Sequence, residues 1–120
     1  MIMSRHVTRG REGEDLACSY LEKKGFEVQL RNWRCSHYEI DIIATRDGTV
    51  HFVEVKTRHS LDYGFPEESV SRKKFNNMTK AASLFLMRFP DFLRIQYDII
   101  SILRLPGKPV EVLLFEDVYM

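Results

Sequence analysis

Asp41 sits in Glu39-Ile40-Asp41, and Glu54-Val55-Lys56 follows on the far side of Asp47-Gly48. Asp-Gly between two apolar runs is a strong signal for a two-residue hairpin turn. With Arg46 facing Thr49, opposed residues have numbers summing to 95, so Asp41 lies across from Glu54 and Glu39 across from Lys56. Strand alternation then puts Glu39, Asp41, Glu54 and Lys56 on one face. Ile40, Ile42, Ala44, His51, Val53 and Val55 take the other, apolar face. Opposed Cβ atoms stand about 5 Å apart, where two carboxylates repel by roughly 3 kcal/mol at an effective dielectric near 20. Protonation of one acid, a neighbouring cation or a bridging divalent metal would relieve that repulsion. Two readings follow: a surface salt-bridge lattice with Lys56 paired to Glu39 or Asp41, and a magnesium site with Lys56 beside it.

A third acid depends on how the first helix packs. Gly10–Lys24 reads as a helix stopped by Gly25, with Ala17 and Leu21 on the face that meets the sheet. Glu14 precedes them by three and seven residues and so shares that face, where a carboxylate needs a partner. The rival reading leaves Glu14 in the first turn, complementing the helix dipole. Gly10 and Gly13 permit close backbone approach at that end.

The remaining elements form the scaffold. Phe26–Asn32 alternates like a half-buried strand, and two strands flank Asp47-Gly48. A polar loop with Gly64 and Pro66 is long enough to cover something. Ser71 is a natural N-cap for a second helix whose Phe75, Met78, Ala82, Phe85 and Phe89 trace one face until Pro90. Arg94–Leu103 is apolar enough for a central strand, and Pro109–Asp117 supplies a last one. The order α-β-β-β-α-β-β implies an α/β fold with helices flanking a central mixed sheet. Its crossover helix delivers a strand parallel to its neighbour.

The composition fits one domain spanning 1–120: 44% hydrophobic, 29% charged, formal net charge +1. No apolar run approaches the roughly 20 residues that span a bilayer. The N-terminus lacks the apolar core of a signal peptide, so the cytoplasm is the default location. Cys18 and Cys35 form no CxxC and read as reduced structural thiols. The four histidines show no zinc-like spacing, and Asp98 in the central strand reads as pairing with a basic residue. Charge is uneven: residues 1–11 hold Arg5, Arg9 and Arg11 without an acid, and Ser71–Lys80 holds Arg72, Lys73, Lys74 and Lys80 without one. Such clusters are usually solvated faces, but two in a small near-neutral chain point toward a polyanion.

The segments "GREGEDLA" (Gly10–Ala17), "EIDIIA" (Glu39–Ala44) and "FVEVKTR" (Phe52–Arg58) resemble the signature of the bacterial YraN family. Tyr63-Gly64, Ser69–Lys74 and Tyr97–Ile102 fall in family order; Tyr38 and Gln96 stand where that pattern usually has Gly and Arg. The family is similar to archaeal Holliday-junction resolvases of the PD-(D/E)xK superfamily. The resemblance implies a restriction-endonuclease-like core and a magnesium- or manganese-dependent endonuclease acting on DNA, branched or without sequence preference. Asp41 and Glu54 would be the principal metal ligands, joined by the Val55 carbonyl and by Glu14 through water or a second metal. Lys56 would orient or deprotonate the attacking water. Lys74 above all, with Ser71, Arg72, Lys73, Arg58 and Arg11, would contact the DNA backbone. A homodimer is also implied; the apolar strand Val110–Phe115 is either a candidate interface for it or simply completes the sheet. The alternative is a nucleic-acid-binding module of the same fold with little or no turnover.

Overall fold

The computed structural model describes residues 5–60 and 71–119, with side chains from residue 11 onward. Tyr63-Gly64, the loop around Pro66, and Ser69 lie outside the described residues. The elements are α1 (Arg5–Lys23), β1 (Glu27–Cys35), β2 (Tyr38–Arg46), β3 (Thr49–Arg58), α2 (Arg72–Arg88), β4 (Arg94–Leu103) and β5 (Glu111–Phe115). Their order is the expected one. The sheet runs β1-β2-β3-β4-β5, antiparallel throughout except where α2 crosses over to set β4 parallel to β3.

Asp47 and Gly48 both adopt positive φ, 51° and 78°, as a tight hairpin turn with the strands' own twist requires. The register follows the expected sum, from Arg46↔Thr49 to Ile42↔Val53. There the β2–β3 ladder ends, one pair short of Asp41 and Glu54, whereas β3 stays paired with β4 as far as Arg58↔Leu103.

The expectation of one apolar and one chemical hairpin face is overturned, because a helix covers each side of the sheet. Ile42, Ala44, Val53, Ile100 and Ile102 pack with Ala17 and Leu21 of α1. Ile43, Val50, Phe52 and Ile99 pack with Phe75, Met78 and Phe85 of α2. A sheet buried on both sides reads as unbroken Ile and Val, so alternation groups Ile42, Ala44, Val53 and Val55 correctly but misses that the opposite face is apolar too. Ile40 joins the α2 cluster, not the α1 cluster of Ile42 and Ala44. The switch falls between the pairs Arg31↔Ile42 and Trp33↔Ile40, where Asn32 takes a left-handed φ of 53°. Asp41 lies in the same interval on β2.

Several boundaries differ from expectation, among them β5, which spans Glu111–Phe115 and not Pro109–Asp117. α1 begins at Arg5, so Glu14 is mid-helix and the first-turn reading of it fails. β1 continues past Asn32 to Cys35 as an edge strand with a register shift between Val28 and Leu30, which leaves Leu30 exposed. Phe89 forms the C-cap of α2 and is exposed, not part of the buried face. Ser71 caps α2 as expected, its Oγ accepting from the Lys74 N–H at 3.2 Å.

Gly13 fixes the height of α1 over the sheet: a Cβ there would lie 2.8 Å from Thr57 Oγ1. Gly13→Ala gains about 1 kcal/mol of helix propensity but overpacks a buried contact, at about 1–3 kcal/mol. The expected outcome is a net loss of up to about 2 kcal/mol in urea unfolding, largely recovered when Thr57→Ala is added. Simple additivity of the two substitutions would show that the contact does not set the packing.

Candidate active site

Where β2 leaves β3, the chain opens a cavity of about 270 Å³ lined by Glu14, Asp41, Glu54, Val55, Lys56, Thr57 and Lys74. That volume holds several waters at roughly 30 Å³ each. Each acid arrives on a different element: Glu14 from α1, Asp41 from β2 and Glu54 from β3. Their protein contacts follow one pattern. Asp41 Oδ2 accepts the Val55 N–H at 2.8 Å, doing for β3 what a lost ladder bond would have done. Glu14 Oε2 accepts from Asn32 Nδ2 at 2.8 Å and from Arg31 Nη2 at 3.4 Å. Glu54 Oε1 accepts from Lys74 Nζ at 2.7 Å. Each carboxylate is held through one oxygen. The second meets no donor among the described residues, apart from a hydrogen bond between Asp41 and Glu54 themselves.

That crowding has an electrostatic cost. Burial, then the charge of Glu54, pushes the Asp41 carboxyl up to about 8 despite the opposing Val55 N–H; the hydrogen bond to Glu54 and the charge of Glu14 add to the rise. Asp41 thus keeps a proton at neutral pH. Lys74 supplies the other compensation. Burial alone would lower its ammonium, but the hydrogen bond and charge of Glu54, with Asp41 and Glu39 behind them, hold it above the ordinary lysine value.

The expected pairing of Lys56 with Glu39 or Asp41 does not form. Lys56 makes no ion pair with a described residue, and Glu39 pairs with Arg34 of the edge strand at 3.2 Å, because β2 has already parted from β3. Among the residues expected to meet DNA, Arg72, Lys73 and Lys74 lie exposed in the first turn of α2, and Arg11 is exposed on α1. The Ser71 hydroxyl is engaged in capping. Arg58 is 8% exposed at the end of β3, which withdraws it from a set of backbone-phosphate contacts. Tyr38 packs against the α2 cluster and does not line the cavity.

Sequence reasoning missed Arg31 and Asn32, the holders of Glu14. Asparagine inside an alternating strand is unfavourable and is the one local signal that marks this position. It also missed a second cluster toward the hairpin turn. His51, Asp98 and Glu116 place possible ligand atoms within 4.8 Å of one another. Those atoms are already engaged. His51 Nδ1 lies 2.6 Å from Asp98 Oδ2, while Gln96 and the Asp117 N–H bind Asp98 Oδ1. Arg46 and Gln96 bind Glu116. The network joins β2, β3 and β4 to the segment after β5, and it gives Asp98 the basic partner expected of it.

A family model described as "Uncharacterised protein family UPF0102" matches residues 13–102, a span holding all three acids and both lysines of the cavity. The chain belongs to UPF0102. This is the YraN family that the motifs resemble. A UPF0102 protein of Syntrophomonas wolfei is 44% identical over 97 residues, 80% of this chain and 84% of the relative. One from Chloroherpeton thalassium is 40% identical over 102 residues, covering 84% and 79%. Among solved structures, Archaeoglobus fulgidus Hjc, a Holliday junction resolvase, is similar at 20% identity and a TM-score of 0.46, covering 86% of this chain and 74% of its own. No helix among the described residues is long and apolar enough to cross a membrane.

For this UPF0102 member the Asp41 shift carries a pH dependence. Between its ordinary value of 3.8 and about 8, the folded protein holds a proton that the unfolded chain has released. Stability therefore falls as pH rises through that window. In divalent-free buffer the wild-type melting temperature should decline from pH 5 to pH 8, and Asp41→Asn, which cannot ionise, should flatten the decline. Parallel curves for the two proteins would contradict the assignment.

Proposed function

We propose that this cavity is the active site of a divalent-metal-dependent endonuclease that hydrolyses phosphodiester bonds in DNA. The supporting observation is the convergence of three carboxylates from three elements on one cavity, each held by one oxygen, beside Lys56. Such a set of hard oxygen donors suits magnesium or manganese, which take one or two carboxylates and complete their shell with water and phosphate oxygens. Asp41 and Glu54 would hold the ion with the Val55 carbonyl, and Glu14 would contribute through water or a second ion. The bound ion supplies Lewis acidity toward the phosphate and a more acidic water.

The chain's own residues do the rest. Lys56, without an ion-pair partner among the described residues, is placed to orient the attacking water and to neutralise charge growing on the phosphoryl oxygens. Water's oxygen bonds to phosphorus as the opposite P–O bond breaks; the proton lost from water passes to the solvent or to a cavity base, and the departing oxygen takes up a proton from solvent. Arg72 and Lys73, exposed at the start of α2, would meet the flanking backbone, and Arg11 would add a cation from α1. Non-specific or branched DNA fits this reading, since the described residues offer phosphate contacts but no element shaped to read bases. A two-fold assembly through the β5 edge would present two such sites to a symmetric junction.

Two measurements test the proposal. Manganese at about a hundred times its Kd should stabilise the protein by about 2.7 kcal/mol, and Asp41→Asn should abolish the gain. With manganese, the wild type should nick supercoiled plasmid or a four-way junction, while Glu54→Ala should not. Equal nicking by both proteins would sink the assignment. Metal and DNA binding without nicking would identify the alternative, a binding module that has lost turnover.

A further inference from the structure

The cavity holds two lysines, and they are not equivalent. Lys56 belongs to the Glu-x-Lys strand itself, yet it is Lys74, twenty residues away on α2, that touches Glu54. Its Nζ lies 2.7 Å from Glu54 Oε1. The Glu54 side chain is 11% exposed and the Lys74 side chain 51%, so a largely buried acid is met by a cation whose stem still reaches solvent. The position of Lys74 is fixed from behind by the Ser71 cap, which bonds its own N–H. Phe75 next to it is anchored in the α2 core. Lys74 therefore has a fixed backbone and a half-exposed side chain that turns inward to Glu54, on the same exposed first turn as Arg72 and Lys73.

We infer that Lys74 is an internal counter-ion that competes with a divalent cation for the charge of Glu54, and that the ammonium the metal releases becomes a phosphate contact, so that metal loading and DNA binding are coupled. This rests on the proposed metal site at Asp41 and Glu54. The physical reason is competition: Lys74 on Glu54 Oε1 and a metal on the other oxygen neutralise the same carboxylate charge and repel each other across it. Arg72 and Lys73 touch none of the acids and lack this double role. By linkage, the ammonium's cost to metal binding equals the metal's gain to any ligand that needs the ammonium free.

The test is manganese titration calorimetry on wild type, Lys74→Met and Lys73→Met, paired with fluorescence anisotropy of a labelled four-way junction with and without calcium. Lys74→Met keeps the aliphatic stem and removes the competitor, so manganese should bind on the order of tenfold more tightly. Lys73→Met removes the same formal charge one residue away and should leave the metal affinity within about twofold of wild type. Calcium should tighten junction binding by the wild type, and Lys74→Met should lose most of that enhancement. Damage to the fold could not produce tighter metal binding, so the gain separates the counter-ion role from a structural one. If wild type and Lys74→Met bind manganese equally, or Lys73→Met gains as much as Lys74→Met, the exchange is wrong while the metal site stands. Failure of the wild type to bind manganese at all would overturn both.

Discussion

The arrangement depends on the parting of β2 from β3 after Ile42↔Val53. Until that pair the hairpin is an ordinary ladder. Beyond it β3 remains tied only to β4, and a strand that loses a neighbour must satisfy its amides elsewhere. The Val55 N–H finds Asp41 Oδ2, so one carboxylate ends the ladder and opens the cavity at once. Asp41 is then buried and close to Glu54, its ionisation is suppressed, and other groups must absorb the charge that remains.

The same parting requires the surrounding elements to close in. α1 crosses low enough to deliver Glu14 because Gly13 has no Cβ to strike Thr57. The edge strand turns at Asn32, whose left-handed backbone lets it and Arg31 both reach Glu14. α2 brings Lys74 to Glu54 from the other side of the sheet. The cavity is thus framed by both helices and three strands, which makes it more exacting in geometry than any of its residues is in chemistry. The His51–Asp98–Glu116 network is the counterpart toward the hairpin turn. There the polar groups are matched donor to acceptor and left with little to offer a ligand.

Much of this is legible in the sequence. Asp47-Gly48 specifies the hairpin register because few other turns tolerate two consecutive positive φ values, and the register aligns the two acidic motifs. The 3.6-residue spacing of Glu14, Ala17 and Leu21 turns Glu14 toward the sheet once the helix is long enough, and α1 proves longer than its apolar pattern suggests. Ser71 is recognisable as a cap from its type and place. What is not legible is long-range. Period-two alternation cannot tell a sheet covered on one side from one covered on both, so the second hairpin face is taken as chemical when it also carries Ile43, Val50 and Phe52. Nor can local pattern show that a lysine twenty residues away reaches Glu54 before Lys56 does. The burial of Arg58 and the pairing of His51 with Asp98 depend on strand neighbours that only the assembled sheet brings together.

The claim at the centre of this account is that the acids at the β2–β3 parting, and not the satisfied network near the turn, take a divalent cation. The direct measurement is paramagnetic line broadening of ¹⁵N-labelled amides on titration with substoichiometric manganese. The Glu14, Asp41, Val55 and Lys56 signals should be lost early while those of His51, Asp98 and Glu116 persist. Broadening centred on His51, Asp98 and Glu116, or spread evenly over the acidic surface, would contradict it.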